Sequence, residues 1–282
     1  MSAPTASAGA RRLDQPGIER LTGLLESGFD GRSDPMAHQH LLDALDRHEH
    51  VRFLVWPPAD PVGVLYIGAS GAVMAAGDPE AATAFAGPAE HADWRVLLGD
   101  AVPCQALLDA SSKGFFRRRH SAREQRFMAT TAPLGSPHLP GLRRAEPAEL
   151  ERLTDFACRL HVEDRMGPQI SRAGRAAVRA RMHDSITAGA TWVLERDGLS
   201  VAKIDLSLSS PRRGAQLAGV YVEEPWRGLG LGSAAIAAVT AELLTQGLPC
   251  VTLHVRADNG AAIAAYRRAG FADRGPWLLA LR

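Results

Sequence analysis

From Glu224 to Ser233 the chain reads Glu-Pro-Trp-Arg-Gly-Leu-Gly-Leu-Gly-Ser, with glycine at 228, 230 and 232. So little side-chain bulk suits neither a strand nor a helix interior, so the segment has to be a turn. Its flanks say which kind. Residues 216–222 alternate as a strand, and 233–246 form a small, apolar helical run that Gly247 ends. A glycine turn between strand and helix points backbone N–H groups inward, beside the free N–H groups of the helix start, and makes an anion cradle. Each charge-assisted bond to a phosphate contributes on the order of 1.5–3 kcal/mol. Taken alone, the loop could equally be a plain strand–helix turn. A dinucleotide-binding turn fits less well, because no acidic residue ends a strand about 20 residues on and Arg227 precedes the glycines.

Elements of both kinds alternate through the rest of this half. Leu150, Leu153, Phe156, Ala157 and Leu160 recur at helical spacing behind an acidic first turn, and Val178, Met182 and Ile186 repeat every fourth residue. Residues 191–195 and 199–206 read as strands around Asp197-Gly198, a two-residue hairpin signal. Residues 250–255 alternate as a strand, 259–269 as a short helix and 271–281 as a closing strand. The order β-α-α-β-β-β-α-β-α-β predicts an α/β fold (an α+β mixed sheet) with helices on both faces.

Residues 132–141, dense in Pro and Gly, read as a linker. They divide the 282 residues into a first domain at 13–131, behind a disordered tail at 1–12, and a second at 142–282. The first domain shows helical patterns at 18–25, 41–45 and 105–108 and strand patterns at 51–56, 62–67, 94–98 and 125–130. That order is compatible with a second, degenerate copy of the same fold, although no diagnostic loop marks it.

Composition narrows the function. Hydrophobic residues at 46 % and charged residues at 22 % make a globular chain, and a net charge of +1 gives no field to attract nucleic acid or an anionic membrane. Cys104, Cys158 and Cys250 are odd in number and unpaired in spacing, which argues against a disulfide framework or structural zinc and for the cytoplasm. No apolar run is long enough to span a bilayer, and the N-terminus lacks the apolar core of a signal peptide. His38 and His40, like His48 and His50, sit two apart, a spacing that points helical side chains away from each other, so no metal is expected. The basic run 115–120 reads as a solvated loop, and Cys158 and Cys250 as core residues rather than acyl carriers.

A second pattern follows the glycine turn at Asn259, Ala262, Tyr266, Gly270 and Phe271. With Arg227, Gly230 and Gly232, which fit Gln/Arg-x-x-Gly-x-Gly/Ala, it resembles the GNAT acyltransferase family, whose following motif is Asn-x-x-Ala-x-x-x-Tyr-x-x-x-Gly-Phe. The resemblance covers residues 142–282 and reaches the first half only by analogy with tandem members. It implies two GNAT-like domains, the second an acetyl-CoA-dependent N-acyltransferase acting by direct transfer to a primary amine. It also implies that the amides of Gly228, Leu229, Gly230, Leu231, Gly232 and Ser233 hold the pyrophosphate. Val220 and Val222 would pair with the pantetheine arm, and Asn259 would contact that arm or pin the strand end. One departure stands out: the family commonly has Pro three places before the Arg, where this chain has Glu224 followed by Pro225.

Tyr266 occupies the family's position for the acid that protonates the leaving thiolate, a phenol of pKa about 10 against a thiol near 8.5. The base is less marked. An amine of pKa about 10.4 is protonated at pH 7, which withholds roughly 4.6 kcal/mol of reactivity. Glu163 and Glu223 are the first candidates, ahead of Asp164 and Asp205. Acceptor specificity is expected from the first two helices and their loop, 161–171. Acyl-CoA and an amine are the expected partners of a monomer or homodimer; a non-catalytic acyl-CoA sensor is the alternative.

Overall fold

The computed structural model describes residues 9–13, 15–111, 120–134 and 138–282. Residues 115–119 of the basic run, 1–8 of the expected tail and 135–137 of the expected linker lie outside the described residues. In chain order the elements are β1 (Arg11–Arg12), α1 (Gln15–Glu26), α2 (Gly28–Gly31), α3 (Gln39–Asp46), β2 (Phe53–Trp56), β3 (Gly63–Ile67), β4 (Ala72–Gly77), α4 (Ala82–His91), β5 (Val96–Asp100), α5 (Ala101–Ser111) and β6 (Ser121–Thr130). They continue with β7 (Leu142–Arg144), α6 (Leu150–Glu163), α7 (Arg172–Thr187), β8 (Thr191–Arg196), β9 (Leu199–Ser210), β10 (Gly214–Val222), α8 (Leu231–Thr245), β11 (Val251–Arg256), α9 (Gly260–Arg268) and β12 (Ala272–Leu281). Among the described residues no helix is long and apolar enough to cross a membrane.

The chain forms two compact units, 1–127 with 274–282, and 128–273. In the first, β1 to β5 lie side by side in order and β12 pairs with β5; every pair is antiparallel except β4 with β5. In the second, β7 to β11 lie side by side, antiparallel except for the parallel pair β10 and β11. Each unit therefore runs a three-strand meander (β2–β4, β8–β10) and then a crossover helix (α4, α8) to a parallel strand (β5, β11). The mixed sheet read from the sequence is present in both.

Local chemistry explains the clearest elements. Asp197 and Gly198 both take positive φ, 51° and 74°, the backbone a two-residue hairpin needs. Leu150, Leu153 and Phe156 of α6 pack with Met182 and Ile186 of α7 on Val193 and Tyr221. Helix α8 is apolar on all sides because it is nearly engulfed: Ala235, Ile236, Val239 and Leu243 are buried with Leu217 and Val251.

Several elements differ from their sequence signals. Strand β4 escapes notice because Ala-Val-Met-Ala-Ala-Gly offers neither alternation nor β-branched weight. Helix α4 is masked by Gly87 and Pro88 inside it. Arg11 and Arg12, expected in a tail, pair with Val55 and Leu54.

The closing strand, expected in the second half, has Trp277–Leu281 paired with Asp100–Val96 of β5. Trp277 stacks on Phe127 at 5.4 Å, and Leu278 and Ala280 belong to the first unit's core. Replacing Leu278 by Ala should therefore cost about 2–5 kcal/mol of stability in the first unit. Hydrogen exchange should show faster exchange at Leu97 and Leu98 and no change in β10 and β11; equal loosening of both units would contradict this assignment of the strand.

Candidate active site

The site begins with a defect in β10. Its register with β11 runs only from Ala215 to Leu217, while that with β9 continues to Val222, with a break between Ala218 and Tyr221. Gly219 sits in the break at φ +55°, where a Cβ would lie 2.2 Å from Asp205 Oδ2 and 2.8 Å from Lys203 Nζ. Lys203, 1 % exposed, donates to the Gly219 carbonyl at 2.9 Å and to Asp205 Oδ2. Asp205 Oδ1 accepts from Thr191 at 3.0 Å, and Thr191 Oγ1 lies 2.8 Å from Ser185 Oγ. A buried cation with all its partners inside the fold thus holds a β-bulge, and bulges re-aim the strand beyond them. Val220 and Val222 lie on the re-aimed stretch.

A 3-10 turn at Glu224–Trp226 follows, then the glycines. Gly228 and Gly230 both have φ +75°, closed to most side chains, and a Cβ on either would meet nothing within 4 Å. Gly232 is different: a Cβ there would come 3.3 Å from Val222 Cγ2, so its bareness lets the helix approach the strand. Gly230 caps α8, whose first N–H groups, at Leu231, Gly232 and Ser233, precede any carbonyl of the helix able to receive them. The Ser233 hydroxyl turns back to the Gly230 carbonyl at 3.0 Å. Open space, alternating left-handed glycines and a helix start together fit a pyrophosphate, the group the family resemblance implies.

Arg227 is fixed from both sides. Its Nε donates to the Val222 carbonyl at 2.7 Å, its Nη2 reaches both Glu163 oxygens at 2.9 Å, and the guanidinium lies 5.3 Å from the Tyr221 ring. The Glu163 carbonyl accepts from Arg256, at the end of β11, at 2.6 Å. The C-terminal end of α6 is thereby tied to residues following β10 and ending β11. Glu223 is also engaged: Arg152 donates to Oε2 at 2.7 Å and Arg159 lies 3.6 Å from Oε1. Arg152, Phe156, Arg159 and Glu163 form one stripe of α6 facing this strand.

Tyr266, on α9, is buried with its ring edge-on to Phe271 at 6.2 Å. Burial, reinforced by the Asp164 carboxylate, pushes its pKa well above the ordinary phenol value. Asn259 caps the same helix, its Oδ1 accepting from the Ala262 N–H at 3.1 Å. Outside this core, a cavity of about 580 Å³ runs along α6 and the following loop, lined by Asp155, Cys158, Arg159, Glu163, Gln169 and Ile170 among others.

The structure gathers Arg227, Glu163 and the glycine turn into one cluster and links Glu223 to it through α6. Asp205, a reserve candidate for the base, belongs to Lys203. Sequence reasoning missed Lys203 and the two α6 arginines; an isolated Gly inside a strand pattern, as at 219, was the available signal for the bulge. Among the described residues no group of three or more His, Cys, Asp or Glu side chains converges as a metal site.

The profile of the Acetyltransferase (GNAT) family matches residues 156–271. No curated protein matches the sequence. Among solved structures, a GCN5-related N-acetyltransferase from Sphaerobacter thermophilus aligns at TM-score 0.60 and 18 % identity over 97 % of this chain and 94 % of its own. A GNAT-family acetyltransferase from Colwellia psychrerythraea aligns at TM-score 0.57 and 14 % identity, covering 96 % and 98 %. A Drosophila protein aligns at TM-score 0.63 and 14 % identity, covering 98 % and 99 %. At these identities the likeness is one of fold.

Replacing Lys203 by Met strands the Asp205 carboxylate and should cost about 3–5 kcal/mol in denaturant unfolding. Adding Asp205→Leu should recover most of that loss. Additive losses in the double variant would show that the pair is not what the bulge rests on.

Proposed function

From the GNAT acetyltransferase domain at residues 156–271, we propose that the protein transfers an acetyl group from acetyl-CoA to a primary amine, directly, in a ternary complex. The observation that carries this reading is the glycine turn of Gly228–Ser233, open to a ligand and placed directly after the re-aimed end of β10. Acetyl-CoA supplies the activated acetyl thioester. The amides of Gly228, Leu229, Gly230, Leu231, Gly232 and Ser233 bind its pyrophosphate. Arg227, its charge already met by Glu163, serves to brace the turn against the Val222 carbonyl. The backbone at Val220 and Val222, freed from β11, offers the pantetheine arm a strand edge. Asn259 uses its side-chain oxygen to cap α9, which favours pinning that helix over touching the arm.

Tyr266 serves the leaving sulfur as a hydrogen-bond donor, and coenzyme A departs as the thiolate, which water protonates. The raised pKa of Tyr266 keeps the phenol protonated and makes it a weaker acid, so its contribution is a hydrogen bond that strengthens as negative charge develops. The amine proton goes to Glu163, which borders the 580 Å³ cavity where an acceptor has room, with water as relay. Glu223, held by two arginines, orients α6 against the cofactor strand. The arginine partners of both glutamates are what favours the second reading, an acyl-CoA-binding sensor.

Calorimetry tests what the two readings share, and thiol release separates them. Acetyl-CoA should bind folded protein at one equivalent, and failure to bind would sink both readings. Tyr266→Phe should lower kcat about a hundredfold or more with little change in acetyl-CoA affinity; a sensor would show no amine-dependent thiol release in either protein. With the Tyr266 pKa raised, its protonated form persists above the ordinary value of about 10. The alkaline limb of kcat should therefore show no loss attributable to this phenol up to that pH, and a fall near pH 9 that disappears in Tyr266→Phe would contradict its assigned state.

A further inference from the structure

The cavity beside α6 carries a charge that the transfer chemistry does not use. Four charged side chains line it: Asp155, Arg159, Glu163 and Arg175. Three of them are met at hydrogen-bond distance. Arg175 donates to Asp155 and, at 3.2 Å, to Glu151, and Glu163 takes Arg227 at 2.9 Å on both oxygens. Arg159 is the exception. Its ionic partner, Glu223 Oε1, lies 3.6 Å away, beyond hydrogen-bond length, and the other oxygen of that carboxylate already takes Arg152 at 2.7 Å. An exposed pair this loose contributes little.

The Tyr221 hydroxyl, ahead of Glu223 and Asp155, raises the Arg159 pKa above its ordinary value, so the group is a cation at every working pH. A guanidinium has five N–H donors in a planar fork, and the Arg159 side chain is 58 % exposed. A neutral hydroxyl and a distant oxygen leave most of that fork open. The group it fits is a carboxylate taken through two parallel N–H bonds. The neighbouring residues fix where such a carboxylate belongs. Arg159 and Glu163 are four apart on α6, one turn along the same face, which sets their Cβ atoms about 5–6 Å apart. Three methylenes between an amine and a carboxylate cover that span, and Val162 and Ile170 supply hydrocarbon to the same cavity. We propose that the ligand of this cavity is an amino acid with a terminal amine, its carboxylate docked on Arg159, its stem along Val162 and Ile170 and its amine at Glu163, so that Arg159 selects the acceptor. The proposal takes from the acetyl-transfer reading only that an amine enters at Glu163.

The test compares 4-aminobutanoate with n-butylamine, which has a methyl group in place of the carboxylate and an amine in the same alkylamine range, on the full-length protein. Binding is read by calorimetry and turnover by thiol release from acetyl-CoA. 4-Aminobutanoate should exceed n-butylamine about tenfold or more, both in affinity and in kcat/KM. Arg159→Met should bring the two amines within about threefold of each other, with the denaturant midpoint of unfolding retained. Arg179→Met, which removes an equal charge that Glu151 already meets, should keep the preference. The proposal is overturned if the wild type treats the two amines alike, if Arg159→Met keeps the preference, or if Arg179→Met abolishes it as fully. It is equally overturned if Arg159→Met instead weakens acetyl-CoA binding about tenfold, which gives the guanidinium to the cofactor. Tighter binding of 3-aminopropylphosphonate than of 4-aminobutanoate would make this a phosphate site and overturn it too. No thiol release with any amine, beside an intact preference in binding, would fail the transfer reading and leave this site standing.

Discussion

A lysine ammonium 1 % exposed has to have its charge met by the fold, and the way Lys203 is met decides where β10 goes. Two of its contacts are the Asp205 carboxylate on its own strand and the Gly219 carbonyl on the next. A backbone carbonyl can be delivered to that point only if β10 bulges, and the bulge is open only to a residue without Cβ. The pairing of β10 with β11 ends just before it. The open edge at Val220 and Val222, and the direction from which the chain enters the glycine turn, both follow from a charge buried one strand away. A hydrophobic residue at 203 could fill the same volume, but it could not call the Gly219 carbonyl out of register.

That dependence explains which parts of the site could be read from the sequence. The glycine turn was legible because its backbone needs show directly as residue types: Gly228 and Gly230 for positive φ, Gly232 for close packing on Val222. The α6, α7 and α8 helices and the β8–β9 hairpin were legible because periodicity and turn chemistry agree there. The Lys203–Asp205 pair was not, although two-residue spacing on a strand puts both side chains on one face. Nothing in the spacing says that the face is buried, and Asp205 therefore read as a free carboxylate. Glu163 and Glu223 lie near the glycine turn, but their partners, Arg227, Arg152 and Arg159, lie 64 to 71 positions away along the chain. In the first unit small residues hid β4 and an internal Pro hid α4, so its meander and crossover could not be traced from the sequence.

The α6 stripe shows how an ion-pair network substitutes for a covalent brace at an open site. Exposed pairs such as Arg227–Glu163 contribute little to stability by themselves. Here position matters more than energy, because Arg227 Nη2 meets both Glu163 oxygens while the Glu163 carbonyl is tied to Arg256 at the end of β11. One residue of α6 thus takes contacts from just beyond β10 and from the end of β11, the two strands that separate.

The two units share a backbone plan and differ in the few residues that follow the first strand of the parallel pair. After β10 come three glycines, two of them at φ +75° with open space where a Cβ would lie. After β4 the chain uses Asp78 to cap the turn with its own side chain, which satisfies the Glu80 amide internally. Because the strands and the crossover helix are common to both, exchanging a glycine turn for a self-capped one requires no change of fold. It requires only that the turn residues give up left-handed glycine backbone for side chains that cap themselves.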